Sequence, residues 1–200
     1  KDEELEEVPY YRPAPDSPEL VYMKKRRQEL GGFYPKRIKD CQPLKIPSLD
    51  IFKQVLEGSN GREISTTMAF VRILTALVKD KRIGKRVVPI VPDEARTFGM
   101  EGMFRQLGIY TSEGQKYVPQ DRDQIMYYRE DKKGQILQEG INEDGAMSTW
   151  MAAATSYSTN RFPLIPFYVF YSMFGFQRVG DLAWADRKST RLNSSHVCSS

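Results

Sequence analysis

The stretch that decides the fold is Gly134-Gln135-Ile136-Leu137-Gln138-Glu139-Gly140-Ile141-Asn142-Glu143. Its first half follows a strand pattern, and a helix is predicted directly after it, near residues 143–158. Asn142 is a typical helix N-cap, which places Glu143 in the first turn, where the helix dipole stabilises a carboxylate. A glutamate in the first turn of a helix more often stabilises the helix than binds a ligand. A carboxylate at such a position can also hold a ring nitrogen of a ligand.

Two further strand patterns lie on either side of this stretch. Residues 86–91 predict a buried strand before it, residues 164–170 predict another after it, and residues 135–139 form the strand between them in the chain. Helices are predicted after the candidate N-caps Ser48 and Ser65 and again near residues 100–107. Alternating strands and helices predict an α/β fold with a parallel sheet and functional loops at the carboxyl ends of the strands.

Acidic and aromatic side chains follow the end of each predicted strand. Asp93 and Glu94 follow the first, Glu143 follows the second, and Tyr171 and Phe174 follow the third. Since parallel strands end at one edge of a sheet, we expect these residues to meet there. The polar, weakly periodic residues 111–129 predict a mobile loop of the kind that covers active sites.

The composition is that of an ordinary globular protein. With 40% hydrophobic and 28% charged residues, the 200-residue chain is expected to hold one or two domains. It has no apolar run of about 18 residues and no signal-peptide features, so we expect a cytoplasmic protein with no membrane partner. Because the chain lacks an initiator methionine and opens inside an acidic stretch, we interpret it as a piece of a longer protein.

Most of the basic character of the chain comes from residues 187–200. The whole chain has a net charge of +4 and a pI near 9.0. Residues 187–200 hold three basic residues and no acid, which leaves 27 basic against 26 acidic residues elsewhere, so no nucleic-acid partner is predicted. The segment is serine-rich and lacks periodicity, and we expect a disordered, non-native tail, with a natural disordered terminus as the alternative.

Three regions follow from these patterns. Residues 1–46 hold six of the twelve prolines and alternating charge runs, and they are interpreted as a linker with one helix at residues 18–30. Residues 47–186 form the predicted globular domain, and residues 187–200 form the tail. The only histidine, His196, and one of the two cysteines, Cys198, lie in the tail, which leaves Cys41 alone. Neither a disulfide nor a Cys/His metal cluster is expected.

Three motifs together resemble one enzyme family. They are the stretch quoted above, Asp93-Glu94-Ala95-Arg96-Thr97-Phe98-Gly99-Met100-Glu101-Gly102, and Phe167-Tyr168-Val169-Phe170-Tyr171-Ser172-Met173-Phe174-Gly175-Phe176-Gln177-Arg178. The family is the homodimeric, bacterial-type pyruvate dehydrogenase, the thiamine-diphosphate-dependent decarboxylating component of the pyruvate dehydrogenase complex. The resemblance runs from roughly Pro9 to Trp184. It implies that residues 1–46 lead from a diphosphate-binding domain to the first part of a pyrimidine-binding domain.

The resemblance implies a role for each candidate site residue. Glu143 matches the family's catalytic glutamate, which makes a charge-assisted hydrogen bond to N1′ of the cofactor's aminopyrimidine. Ile141 matches the apolar support beneath the cofactor. Phe174 and Tyr171 match positions beside the aminopyrimidine and the substrate, where an aromatic ring can stack. Glu94 is expected near the active centre.

Three charged residues near these candidates have less defined roles. Asp93 is interpreted as a local cap or an ion-pair partner of Arg96, because adjacent residues at a strand end point in opposite directions. Asp121 and Arg122 in the predicted loop could help it to close over the site, although a plain solvated loop fits them nearly as well.

The cofactors and partners that the resemblance implies extend beyond this chain. They are thiamine diphosphate with Mg²⁺, pyruvate, a second copy of the subunit, and the lipoyl domain of dihydrolipoyl acetyltransferase, which accepts the acetyl group. The family's Gly-Asp-Gly motif for Mg²⁺ does not occur in this sequence, so no metal ligand is expected here and the chain alone is expected to be inactive. The alternatives are a transketolase-like enzyme, another 2-oxo acid dehydrogenase, or a noncatalytic α/β interaction module.

Overall fold

The structure is a computed structural model that describes residues 12–32, 40–120 and 128–189. The chain divides into two compact units, and the described residues 12–32 belong to the first and the other described residues to the second. Asp121 and Arg122 lie outside the described residues, as do residues 190–200 of the predicted tail. The roles assigned to them above stay predictions.

One helix forms most of the described part of the first unit. α1 spans Pro18–Glu29, within one residue of the predicted helix. Ser17 caps it by accepting a hydrogen bond from the Leu20 amide at 3.4 Å. Proline fits the first helical position because the amide proton that it lacks would have no partner there. No residue of α1 is buried within this structure, so its charged side chains are solvated as expected.

The second unit alternates helices and strands. Its α-helices are α2 (Lys53–Leu56), α3 (Thr66–Lys79), α4 (Phe104–Leu107), α5 (Glu143–Ala154), α6 (Ser156–Asn160), α7 (Ser172–Gly175) and α8 (Gly180–Ser189). Its strands are β1 (Val87–Val91), β2 (Ile109–Tyr110), β3 (Glu130–Asp131), β4 (Leu137–Gln138) and β5 (Ile165–Tyr168). In the described ranges, no helix combines the length and the apolar content needed to cross a membrane.

β1 is the central strand of a three-stranded parallel sheet with the order β4-β1-β5. β4 pairs with the end of β1, where Leu137 lies opposite Ile90, and β5 pairs along β1 until Tyr168 lies opposite Ile90. β2 and β3 form a second parallel pair, and a parallel bridge links Ile109 of β2 to Ile136 just before β4. The predicted α/β fold with a parallel sheet is confirmed.

Alternate residues of β1 pack into two separate hydrophobic clusters. Val87 and Val91 join the cluster that contains Leu74 of α3, whereas Ile90 joins the cluster that contains Ala146 of α5. Because successive side chains of a strand point to opposite faces, α3 and α5 cover opposite faces of the sheet. The side chains of Val87, Ile90 and Val91 are fully buried, as is typical of a parallel strand covered on both faces.

Polar side chains fix the point at which β1 enters the sheet. Gln135, before β4, donates from Nε2 to the carbonyl oxygens of Gly84 at 2.6 Å and Val87 at 2.5 Å. Asp80, which follows α3, accepts hydrogen bonds from the backbone amide of Arg82 at 2.8 Å and from its guanidinium at 2.8 Å. The two Gln135 bonds and the bond from the Arg82 amide pair backbone groups that would otherwise lack partners at the ends of the elements.

Some predicted boundaries differ from the observed ones. The second strand is predicted over residues 135–139, whereas β4 is Leu137–Gln138, although the Glu139 amide still donates to the Val91 carbonyl at 2.9 Å. Differences of one or two residues are usual at element ends. The helix predicted near residues 143–158 is divided into α5 and α6 at Thr155, whose hydroxyl donates to the Met151 carbonyl at 2.8 Å. Such side-chain bonds to the backbone compete with regular helix.

The first residues of the predicted tail belong to a helix. α8 runs through residues 187–189, where the sequence analysis places the start of a disordered segment. The helix therefore continues three residues past the predicted domain boundary. The non-native origin of residues 187–200 stays a prediction.

Candidate functional site

α5 begins at the residue that the sequence analysis singles out. Asn142 is its N-cap, and the side-chain oxygen of Asn142 accepts a hydrogen bond from the Gly145 amide at 2.9 Å. A Cβ at position 145 would lie 2.4 Å from the Asn142 side-chain amide, so only glycine lets the cap close this tightly. Gly140 turns the chain between β4 and α5 with a φ of +70°, a conformation that favours glycine. Glu143 is thereby fixed in the first turn of α5, as predicted.

Glu143 is a buried acid that an arginine holds. Its side chain is 8% exposed, and its Oε2 atom accepts a hydrogen bond from Arg178 Nη1 at 2.8 Å. The bond to Arg178 lowers the pKa of Glu143, while burial and the charge of Asp93 oppose this shift. Glu143 is therefore an ionised carboxylate at neutral pH.

Arg178 also contacts the aromatic ring that is expected beside the cofactor. Its Cζ atom lies 4.6 Å from the centroid of the Phe174 ring, which is within the range of a cation–π interaction. Glu143 follows β4 and Phe174 follows β5, so Arg178 joins the carboxyl ends of two strands that both pair with β1. The expectation that Glu143 and Phe174 lie at one edge of the sheet agrees with this geometry.

The other two apolar candidates are exposed at the same edge. The Tyr171 ring packs against Phe98, which follows β1, with 4.7 Å between ring centroids. Tyr171 is 41% exposed, Phe174 40%, and Ile141 83%. The carboxyl ends of all three strands thus supply residues to one region, in which a buried carboxylate lies near exposed apolar side chains.

The two acids after β1 lie in different surroundings. Asp93 is close enough for its charge to act on Glu143. Glu94 is exposed and lines an open cavity of about 660 Å³ together with Tyr117 and Tyr128. The expectations that Glu94 lies near the active centre and that Asp93 has a local role stay predictions. Adjacent residues at the end of a strand alternate in direction, and sequence alone does not show which of the two faces inwards.

Two tyrosines beside Glu94 share one carboxylate oxygen. Tyr117 and Tyr128 donate to Glu130 Oε1 at 2.7 and 3.0 Å. Burial is the main cause that raises the pKa of Tyr128, so its hydroxyl keeps its proton and remains a donor. Tyr117 lies before residues 121–127 and Tyr128 lies after them. Glu130 therefore links the two described parts of the predicted loop.

A buried carboxylate, a buried hydroxyl and exposed apolar side chains lie at this edge of the sheet. No group of three or more histidine, cysteine, aspartate or glutamate residues in the described part of the chain could hold a metal ion. The buried Tyr168 hydroxyl has no hydrogen-bond partner among the described residues, and burial, with the charges of Glu143 and Asp144, raises its pKa to about 12. A buried carboxylate and an unpartnered hydroxyl beside apolar side chains are typical of a site for a small organic ligand.

The roles of Arg178 and Phe98 are not predicted from the sequence. Arg178 stands four residues after Phe174, beyond the end of α7, and one turn of the chain, in which the Arg178 amide donates to the Phe174 carbonyl at 3.4 Å, brings the two side chains together. Its pairing with Glu143 joins residues 35 positions apart, and no local pattern indicates it. The packing of Phe98 on Tyr171 is likewise a long-range contact.

Comparison with known proteins agrees with the resemblance. Residues 44–192 match a family described as the pyruvate dehydrogenase E1 component middle domain. The chain is 65% identical over 185 residues to the pyruvate dehydrogenase E1 component of Pseudomonas aeruginosa, 62% to that of Cupriavidus necator and 57% to that of Escherichia coli. Each alignment covers 92% of this chain but 21% of the relative, so the chain spans about a fifth of the length of these proteins. The chain belongs to the pyruvate dehydrogenase E1 component family, in which it matches the middle domain.

Proposed function

We propose that this chain is the part of a pyruvate dehydrogenase that binds the aminopyrimidine of thiamine diphosphate. The whole enzyme would decarboxylate pyruvate and transfer the acetyl group to the lipoyl group of dihydrolipoyl acetyltransferase. The observation that carries this proposal is the buried, ionised Glu143 at the start of α5, close to Phe174, in a chain 65% identical to a protein named for this activity. The bound cofactor would supply the electron sink for decarboxylation.

Glu143 would stabilise a proton on the ring nitrogen N1′. Arg178 occupies Oε2 of this carboxylate, and we assign the other oxygen, Oε1, to the ring nitrogen. A carboxylate of lowered pKa keeps its negative charge when a protonated ring approaches it, so the hydrogen bond is charge-assisted. Burial strengthens this interaction because little water screens it.

The exposed apolar side chains would complete the ring site. Ile141 would support the cofactor from below, and Phe174 and Tyr171 would lie beside the aminopyrimidine and the substrate. Large apolar side chains gathered at one edge suit surfaces that a ligand or a second subunit covers, which agrees with a homodimeric enzyme. Glu94 would act from the neighbouring cavity wall rather than beside Glu143.

The remaining parts of the proposed enzyme would come from outside this chain. We assign the Mg²⁺ ligands and the diphosphate contacts to another domain, and we expect the isolated 200-residue chain to be inactive. The relatives reported above carry one name, which favours pyruvate dehydrogenase over a transketolase-like enzyme or a noncatalytic module. The cytoplasmic location stays a prediction.

Changing Glu143 to glutamine in the full-length enzyme tests the proposal. The amide keeps the shape and a hydrogen bond but loses the charge, so we expect turnover of pyruvate to fall by about 10²–10⁴-fold. Calorimetric titration with thiamine diphosphate and Mg²⁺ is expected to show that binding persists. Glu63→Gln, at an exposed position, is the matched control and is expected to keep full activity. Near-normal turnover of Glu143→Gln would place the catalytic carboxylate elsewhere.

A further inference from the structure

Arg178 makes three contacts at the carboxyl edge of the sheet. Its guanidinium donates to Glu143 Oε2 at 2.8 Å and lies 4.6 Å from the centroid of the Phe174 ring. Its backbone amide donates to the Phe174 carbonyl at 3.4 Å. The Arg178 side chain is 49% exposed, whereas that of Glu143 is 8% exposed. Arg178 therefore reaches from solvent onto the buried acid and crosses the aromatic ring on the way.

We propose that Arg178 is a positioning residue for Glu143, which fixes the carboxylate in one orientation and aligns it with the Phe174 ring. The proposal rests on the function proposed above. It assigns to Arg178 no contact with the substrate. Its effect on the reaction passes through Glu143 and Phe174.

The charges around Glu143 favour a cation at this position. Asp93, after β1, opposes ionisation of Glu143, and Asp144 of α5 and Tyr168 of β5 face the same region. Among Arg178 and these four side chains, Arg178 is the one that carries a positive charge. Without it, burial and the charge of Asp93 would raise the pKa of Glu143, and a backbone hydrogen bond would remain to lower it. A neutral Glu143 could not stabilise a protonated ring nitrogen by its charge.

The shape of the guanidinium explains why arginine suits this position. Its planar group can donate from an edge to a carboxylate while its face lies on an aromatic ring, which an ammonium group cannot do with the same geometry. The contact with Phe174 thus restricts the guanidinium, and the guanidinium in turn restricts Glu143. One side chain sets the relative position of the acid and of the ring expected to stack on the cofactor.

An alternative role for Arg178 predicts the opposite effect of its removal on the binding of thiamine diphosphate. If Arg178 occupied Glu143 only until the cofactor arrived, it would compete with the ring nitrogen for the carboxylate. Removing Arg178 would then strengthen the binding of thiamine diphosphate. If Arg178 positions Glu143, removing it weakens binding and raises the pH at which Glu143 becomes protonated.

The test uses Arg178→Gln and Arg178→Lys in the full-length enzyme. For Arg178→Gln we expect the acid limb of the pH dependence of kcat to move upward by about one pH unit or more, since a neighbouring opposite charge lowers a carboxyl pKa by about 1–3 units. Calorimetric titration with thiamine diphosphate and Mg²⁺ should show weaker binding. For Arg178→Lys, which keeps the charge, we expect the acid limb near its original pH but a loss of kcat of up to about 10²-fold, because the geometry is not restored.

Arg86→Gln is the matched control. Arg86 also lies over an aromatic ring, with its Cζ 3.5 Å from the centroid of the Phe162 ring, but it pairs with no acid of the site. We expect its pH profile and cofactor affinity to be unchanged.

Three outcomes would overturn the proposal. They are tighter cofactor binding by Arg178→Gln, an unmoved acid limb in that variant, or an Arg178→Lys enzyme that equals the original in kcat, KM and pH profile. The last of these decides the question even if Arg178→Gln does not fold. Glu143→Gln in the same enzyme separates the positioning role of Arg178 from the proposed function. If Glu143→Gln is inactive while Arg178→Gln is normal, the positioning role fails and the proposed function stands.

Discussion

The body of β1 and the carboxyl edge of its sheet place similar apolar side chains in opposite environments. In the body, Val87, Ile90 and Val91 are 0% exposed. At the edge, Ile141 is 83% exposed and Phe174 is 40% exposed. The body lies between α3 and α5, which cover its two faces, whereas the edge lies where the strands have ended. Burial is therefore decided by position relative to the helices rather than by residue type.

This difference separates the residues that stabilise the fold from those that remain available for binding. Removing apolar surface from water is the main favourable contribution to folding, and the side chains in the body of β1 are already buried in the folded chain. The side chains at the edge remain exposed, so burying them can still stabilise the binding of a ligand or of another subunit. The two regions should consequently respond to substitution in different ways.

The largest expected effect on stability lies in the hydrophobic cluster that α3 forms with the body of β1. Leu74→Ala would remove a fully buried side chain of α3, and we expect the free energy of unfolding of the chain to fall by about 2–5 kcal/mol. Urea titration followed by circular dichroism measures this change. Leu56→Ala in α2 is the matched control, because Leu56 is 66% exposed. If the two substitutions had equal effects, this cluster would not be the stabilising region.

A smaller, pH-dependent effect is expected before β1. Hydrogen bonds from Arg82 are the main cause that lowers the pKa of Asp80 from 3.8 to about 2. This carboxylate therefore stabilises the fold fully above about pH 3.8, and the contribution is lost as the pH falls through about 2. We expect Asp80→Asn to lower the melting temperature at pH 7, and the difference from the original chain to narrow towards pH 2.5. An equal difference at both pH values would contradict this, and Asp181→Asn is an exposed control.

The smallest expected effect on stability lies at the edge. Ile141→Ser should change the free energy of unfolding by no more than about 0.5 kcal/mol, since Ile141 is 83% exposed. In the full-length enzyme the same substitution should weaken the binding of thiamine diphosphate, measured by calorimetry. Ile46→Ser is the matched control, because Ile46 is 84% exposed and no role in the site is assigned to it. Equal cofactor affinity in both variants would remove Ile141 from the proposed site.

The sequence predicts those parts of the fold that depend on local patterns. The apolar run of β1 and the cap formed by Asn142 depend on neighbouring residues, and both agree with the structure. β2 and β3 have two residues each, which is too short for any periodicity, and the sequence does not predict them. The break at Thr155 depends on a hydroxyl bond that competes with the helix, which the spacing of apolar residues does not show.

The candidate site is predictable in its location but not in its internal arrangement. The parallel-sheet rule places Glu143 and Phe174 at one edge, and both lie around Arg178. Successive side chains of an extended chain point in opposite directions, so the rule does not say whether Asp93 or Glu94 faces Glu143. The Arg178 contact forms only when distant segments pack together, so no single stretch of sequence contains it.

The order β4-β1-β5 has a consequence for how the chain is made on the ribosome. The central strand emerges first, and both of its partners lie later in the chain, with Ile165 of β5 following Val91 by 74 residues. At about 5–20 residues per second, an apolar segment waits roughly 4–15 seconds for its second neighbour. During that interval the edge of β1 that later pairs with β5 is unpaired on the nascent chain. The dependence of this domain on chaperones should therefore be greatest before translation reaches β5.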